Sequence, residues 1–188
     1  MTHEALNHLL RAAGDLTGRR QFVLVGSAAI FAWHETIPAA MALSREADLY
    51  AFGVSEDEAD RIADELEEIG QLSTFDETHG CYVDGVGPRT AVLPVDWHAR
   101  AKTYAPAAAN GVKAIVPQPE DLALSKLCAG REKDVDWVAV AFGAGLIDLE
   151  VVASRVHLLP DLASAQRGHI RELIEIVRRK ASRVHREP

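Results

Sequence analysis

Two carboxylates and a Gly-Ser pair are the parts of this chain whose types and spacing point to chemistry. Glu46 and Asp48 stand two apart in Ser44-Arg45-Glu46-Ala47-Asp48-Leu49. Side chains alternate across a strand, so both carboxylates fall on one face. They repel each other unless a cation lies between them, and a divalent metal is the usual one. Some twenty residues earlier, the apolar run Phe22-Val23-Leu24-Val25 meets Gly26-Ser27 and then an Ala-rich stretch. A Gly-Ser turn leading into a helix offers free backbone N–H groups and a positive dipole end to a phosphate. Phosphate cradle and metal carboxylates together point to phosphoryl or nucleotidyl transfer. A third carboxylate, Asp96 in Leu93-Pro94-Val95-Asp96-Trp97, follows an apolar stretch. It is expected at a strand end beside Glu46 and Asp48, where three acids would hold two Mg²⁺ ions that clamp a triphosphate.

The elements that must position these groups are legible in outline. Residues 3–17 carry Leu6, Leu9, Leu10 and Ala13 on one stripe, with Thr2 as cap and Gly18 as stop, which predicts an amphipathic helix. Residues 21–25 read as a doubly buried strand, 27–35 as a helix ending before Pro38, and 46–52 as the second strand. Ser55 caps a strongly charged helix that Gly70 stops. Its acidic run reads as a solvated face. Strands are expected at 72–76 and 80–84, with Asp84-Gly85 as a turn. Residues 89–97 read as a central strand, bulged or at an edge because Pro94 has no N–H to give. Another strand falls at 112–116. Helices follow at 119–129, 132–143, 148–156 and 162–184, with Pro119 in the first turn. The expected fold class is α/β (α+β): a small mixed sheet flanked by helices, with a helical C-terminal part. The division is a core over 1–117 and a helical region over 118–188, packed as a single compact unit.

Composition narrows the field. Apolar residues make up 48% and charged residues 26% of 188, enough to build a core without staples. A formal net charge of −8 argues against a protein that coats nucleic acid non-specifically. Cys81 and Cys128 form no motif, which fits reduced thiols and a cytoplasmic location. The start of the sequence is too polar for a signal peptide, and no run is long and apolar enough for a membrane span. Ser27 lacks the Gly-x-Ser-x-Gly elbow of a hydrolase nucleophile, and no Walker lysine follows it. His34, His79 and His98 are scattered without metal spacing. The basic segment with Arg171, Arg178, Arg179, Lys180, Arg183 and Arg186 either suits the negative end of a helix dipole or meets phosphates or an acidic helix.

Taken in order, Gly26-Ser27, Glu46-x-Asp48 and Asp96 resemble the nucleotidyltransferase superfamily, whose relatives include DNA polymerase beta. The segment Leu124-Ser125-Lys126-Leu127-Cys128-Ala129-Gly130-Arg131-Glu132-Lys133-Asp134-Val135-Asp136 resembles a region of bacterial nucleotidyltransferase-like proteins, uncharacterised groups and toxin–antitoxin or abortive-infection members among them. The resemblance spans roughly residues 20–148 and implies a nucleotidyltransferase fold. It implies transfer of a nucleoside monophosphate from a nucleoside triphosphate with Mg²⁺. Glu46, Asp48 and Asp96 would hold metal, Gly26 and Ser27 phosphate, and Lys126, Arg131 or Lys133 would neutralise developing charge. The implied acceptors are a tRNA, a protein hydroxyl or a small molecule, in a toxin–antitoxin or defence setting that would also supply a partner protein. One departure matters: the family's first metal carboxylate is Asp, and Glu46 is one methylene longer, while Mg²⁺ demands tight octahedral geometry. The second reading is therefore a catalytically degenerate binding or regulatory module on the same fold.

Overall fold

Phe22-Val23-Leu24-Val25 is apolar at every position, so the strand it forms must be covered on both faces. The computed structural model describes residues 1–184, with side chains through Ser182. In it β1 (Gln21–Val25) is the central strand of a five-stranded mixed sheet. The others are β2 (Glu46–Ala51), β3 (Tyr82–Gly85), β4 (Lys102–Tyr104) and β5 (Lys113–Val116), in the order β3-β2-β1-β5-β4. β1 runs antiparallel to β2 and parallel to β5, β2 runs parallel to β3, and β4 runs antiparallel to β5. Among the described residues the α-helices are α1 (His3–Thr17), α2 (Glu56–Leu66), α3 (Thr74–His79), α4 (Pro119–Ala129), α5 (Glu132–Gly143), α6 (Leu149–Arg155) and α7 (Ser164–Val184). This is the mixed α/β class expected, with helices alone after β5.

Alternation along the strands divides the interior in two. Phe22, Leu24, Ala47, Leu49 and Val83 join the large core under the helices. Val23, Val25, Tyr50 and Val86 face the other way and form a smaller cluster with Leu93 and Trp97. Glu46 and Asp48 share the second face with Tyr50, and Asp84 shares it with Val86, because each set is spaced by two residues.

Three local expectations are corrected. Residues 89–97 form no strand. Their apolar side chains Leu93 and Trp97 instead close the smaller cluster from a loop. An apolar run that lids a sheet has the same composition as a strand within it, and Pro94 deprives it of a ladder N–H. Residues 72–76 are not a strand either. Ser73 accepts the Asp76 N–H and starts α3, which Gly80 ends in the left-handed conformation; this is a helix capped at both ends. The Ala-rich run is not an α-helix to residue 35 but a six-residue 3-10 helix, Ser27–Ala32, buried from Ala28 to Ala32. A fully buried run has no polar face whose period would declare 3.6 residues per turn.

The helices that follow the sheet are fixed by ordinary signals. Pro119 opens α4, and Gly130, at φ 64°, ends it. Lys126 and Lys133 therefore sit on separate helices. α7 packs along α5. Two of its basic residues form ion pairs within the chain: Lys180 with Asp136, and Arg178 with Glu150 and Glu175. Arg186 and the side chain of Arg183 lie outside the described residues. No described helix is long and apolar enough to cross a membrane.

Candidate active site

The two carboxylates of β2 open onto a cleft of about 560 Å³ between the sheet and α5. Gly26, Ser27, Glu46, Asp48, Lys126, Arg131 and Lys133 all line it. Register explains the assembly. Val25 pairs with Asp48 across the β1–β2 ladder, so the turn that follows Val25 is delivered beside the Asp48 side chain. Gly26 adopts φ 68°, and a Cβ there would lie 1.4 Å from Asp48 Oδ2. Glycine is thus required twice over, by the left-handed backbone and by the carboxylate that occupies the Cβ position.

Asp96 is not in this cleft. It is exposed, at the start of a 3-10 turn over Trp97–Arg100. Its carboxylate meets Arg100 at 2.6 Å. Arg100 in turn holds fully buried Asp121 of α4 through two hydrogen bonds of 3.1 Å, and Arg155 of α6 completes the set at 3.0 Å. The hydrogen bond from Arg100 keeps the Asp96 carboxyl below its usual range. Asp96 belongs to an ion-pair network that ties the loop before β4 to the C-terminal helices.

The acid beside Asp48 is Asp84. The parallel β2–β3 ladder pairs Asp48 with Asp84 and Glu46 with Tyr82. Asp84 follows Tyr82-Val83, and its position before Gly85 made it read as a turn residue. The signal for its placement is the strand itself: spacing by two puts it on the face of Val86, which is the face of Asp48.

Electrostatics set this trio apart. Burial, then the charges of Glu46 and Asp84, push the Asp48 carboxyl up to about 7 against the pull of Lys126 and Arg131. Burial and Glu46 also raise Asp84. The Tyr82 hydroxyl donates to Glu46 Oε2 at 2.9 Å. Burial and that bond push the phenol up to about 12, so it remains a donor throughout the physiological range. A carboxylate one methylene longer than Asp is therefore held at its tip.

The positive side of the cleft is as closely built. The Lys126 side chain is 12% exposed. Its ammonium donates to Ser27 Oγ at 2.9 Å, reaches Asp134 at 3.5 Å and lies 4.9 Å from the Trp137 ring centre. Burial lowers its pKa, and the charges of Asp134 and Asp48 only partly restore it. Burial would raise Asp134, but the hydrogen bond from Arg131 and the charge of Lys126 outweigh it and bring it below its usual range. Lys133 is exposed on the rim and has no ion pair among the described residues. Since the helix after Gly26 is a six-residue 3-10 turn, its dipole is small. The buried Lys126 ammonium on Ser27 is the main fixed positive charge at the turn.

Among the described residues, no three His, Cys, Asp or Glu side chains are gathered as closely as a metal cage requires. The acidic donors Glu46 and Asp48 offer carboxylate oxygens to the cleft, which suits Mg²⁺, an ion usually held by one or two carboxylates together with substrate phosphates and water.

A mixed sheet with a Gly-Ser turn beside an acid-x-acid strand and a further acid on the neighbouring strand fits the nucleotidyltransferase-like class that the sequence resembles. The comparison with known families agrees. Residues 4–176 match the family described as "Nucleotidyltransferase of unknown function (DUF6036)". The chain belongs to that family. No curated protein and no solved structure matches it.

Proposed function

We propose that this protein transfers a nucleoside monophosphate from a Mg²⁺-bound nucleoside triphosphate to an acceptor hydroxyl. The observation that carries the reading is the Asp48 carboxylate. It is pressed against Gly26 and raised to about 7 by burial and two neighbouring acids, with Lys126 on Ser27 across from it. Such an arrangement is costly to the empty fold and is relieved by a cation, so it supports a metal-dependent site over a structural one.

Glu46 and Asp48 would hold Mg²⁺, with Asp84 beside them. When bound, the ion would offset charge on the phosphate oxygens and on the attacking hydroxyl. Tyr82 fixes the Glu46 tip. Lys126 and Ser27 place the triphosphate, and Arg131 and Lys133 add positive charge from the rim as pyrophosphate departs. Asp84, with its raised pKa, accepts the hydroxyl proton.

The absence of a close three-acid cage among the described residues favours a second reading, in which the same cleft binds the triphosphate without transferring it. Incubation with Mg²⁺ and α-labelled nucleoside triphosphates against RNA, protein and small-molecule acceptor pools separates the two. Transfer lost in Asp48→Ala supports the enzyme. Equal labelling by Asp48→Ala rejects the role given to Asp48, and binding without label in any pool supports the second reading.

A further inference from the structure

The cleft is not uniform along its length, and both walls change in the same direction. On α5, Lys133, Asp136, Trp137 and Val140 line it. These positions are spaced by three, one and three residues, so they form one helical stripe. The stripe is charged at its N-terminal end, near Arg131 and Lys126, and apolar at Val140. The opposite wall is the segment before β2. Read away from the carboxylates it runs Arg45, Ser44, Leu43, Met41, Ala40, again from charged to apolar. Its short 3-10 turn at Ala39–Met41 packs on α5. Seven residues of helix separate Lys133 from Val140, about 10 Å at 1.5 Å per residue.

Leu43 is the unusual residue in this wall. It is 79% exposed at the cleft, whereas its neighbour Met41 is buried in the core. The polar side chains of the segment are engaged elsewhere, and the Arg45 guanidinium holds Gly80 and Asp76. The N–H groups of Met41 and Ala42 bond to Pro38 and Ala39. The Ser44 hydroxyl bonds to the Glu46 backbone. The far end of the cleft thus offers apolar side chains to a ligand, from Ala40, Met41, Leu43 and Val140.

We propose that this end is the nucleobase subsite, formed by Leu43 and Ala40 on one wall and Val140 on the other, and that it takes any base. The inference rests on the reading of the carboxylate end as a triphosphate site. A nucleotide has the same polarity profile as the cleft: a polyanionic end and a flat, apolar-faced ring at the other. Leu43 lies over the ring face, which every base presents, and the side chains of Leu43, Ala40 and Val140 carry no polar group to read a base edge. Affinity then comes from charge at one end and contact area at the other, so the four nucleotides bind alike.

Calorimetry with two probes, Mg²⁺–ATP and Mg²⁺–tripolyphosphate, tests this on the wild type and on Leu43→Ala. Leu43 is exposed, so the variant is expected to fold normally, which its melting curve checks. The expected result is that ATP binds more tightly than tripolyphosphate. Leu43→Ala should weaken ATP about tenfold, the loss of a partly buried leucine contact, and leave tripolyphosphate within about twofold. ATP, GTP, CTP and UTP should agree within about fivefold, since only contact area differs among them. Equal affinity of both probes with no effect of Leu43→Ala overturns the base subsite while leaving the triphosphate site standing. A strong preference for one base overturns the claim that no edge is read. Failure of both probes to bind overturns the triphosphate reading itself.

Discussion

Two charged clusters lie in this molecule, built from the same residue types and opposite in their balance. In one, Asp121 is fully buried but receives three hydrogen bonds from Arg100 and Arg155, and Arg100 also holds Asp96. Every charge there has a partner, and Asp96 is pulled below its ordinary pKa. In the other, Asp48 sits between Glu46 and Asp84, and its pKa rises to about 7. The cation that pulls on it most, Lys126, is shared with Asp134 and Ser27. A satisfied network joins elements; in an unsatisfied one the proposed function has a ligand bring the missing charge. The carboxylate count is similar in both clusters, so it is the balance that separates scaffold from site.

The comparison can be broken most forcefully at Asp121. Asp121→Ala leaves Arg100 and Arg155 facing a buried void without their counter-charge, and is expected to destabilise the fold by about 3–5 kcal/mol in urea unfolding. Asp48→Asn should do the reverse. The carboxyl has a folded pKa of about 7 against an ordinary 3.8. Below about pH 4 both folded and unfolded chains hold the proton and no penalty exists. Between there and about pH 7 the unfolded chain releases it first, so the wild type loses stability as pH rises, fully above about pH 7. Asp48→Asn removes that loss. It should raise thermal stability at pH 8 by up to roughly 4 kcal/mol and have little effect near pH 4. A variant that is less stable than wild type at pH 8 contradicts the strained-site account.

Smaller effects sharpen the contrast. Tyr82→Phe removes the hydrogen bond to Glu46, one to a charged group, with an expected cost of about 1–2 kcal/mol in stability. Metal-dependent triphosphate affinity should fall with it, and Glu46→Asp should not be rescued by Tyr82. Asp96→Asn breaks an exposed pair with Arg100 and is expected to change stability by less than about 1 kcal/mol, with no change in triphosphate binding.

The pattern of success and failure along the sequence follows the range of the forces. Glu46 and Asp48 on one face, the Gly26-Ser27 turn and the capped helix with Pro119 and Gly130 are decided within a few residues, and each was legible. Lys126 reaches Ser27 across 99 positions; the family resemblance implies Lys126 as one of three charge-neutralising residues, and the contact with Ser27 appears only in the fold. Asp84 and Asp96 both follow apolar residues, and the choice between them depends on which segment enters the sheet. The four-residue β3 gains its place by pairing with β2, while the longer apolar run before Asp96 becomes a lid over Val23 and Val25. No local pattern distinguishes those outcomes. The 3-10 geometry after Gly26 was hidden for a related reason: a run buried on all sides carries no period.

The most direct measurement is the Mg²⁺-dependent affinity for ATP of the wild type, Asp48→Asn and Asp96→Asn, by calorimetry at pH 7.5. The expected result is binding by the wild type, loss of its Mg²⁺-dependent part in Asp48→Asn, and unchanged binding in Asp96→Asn. Loss in Asp96→Asn with retention in Asp48→Asn would contradict it, and would move the site from the cleft to the network that here serves as scaffold.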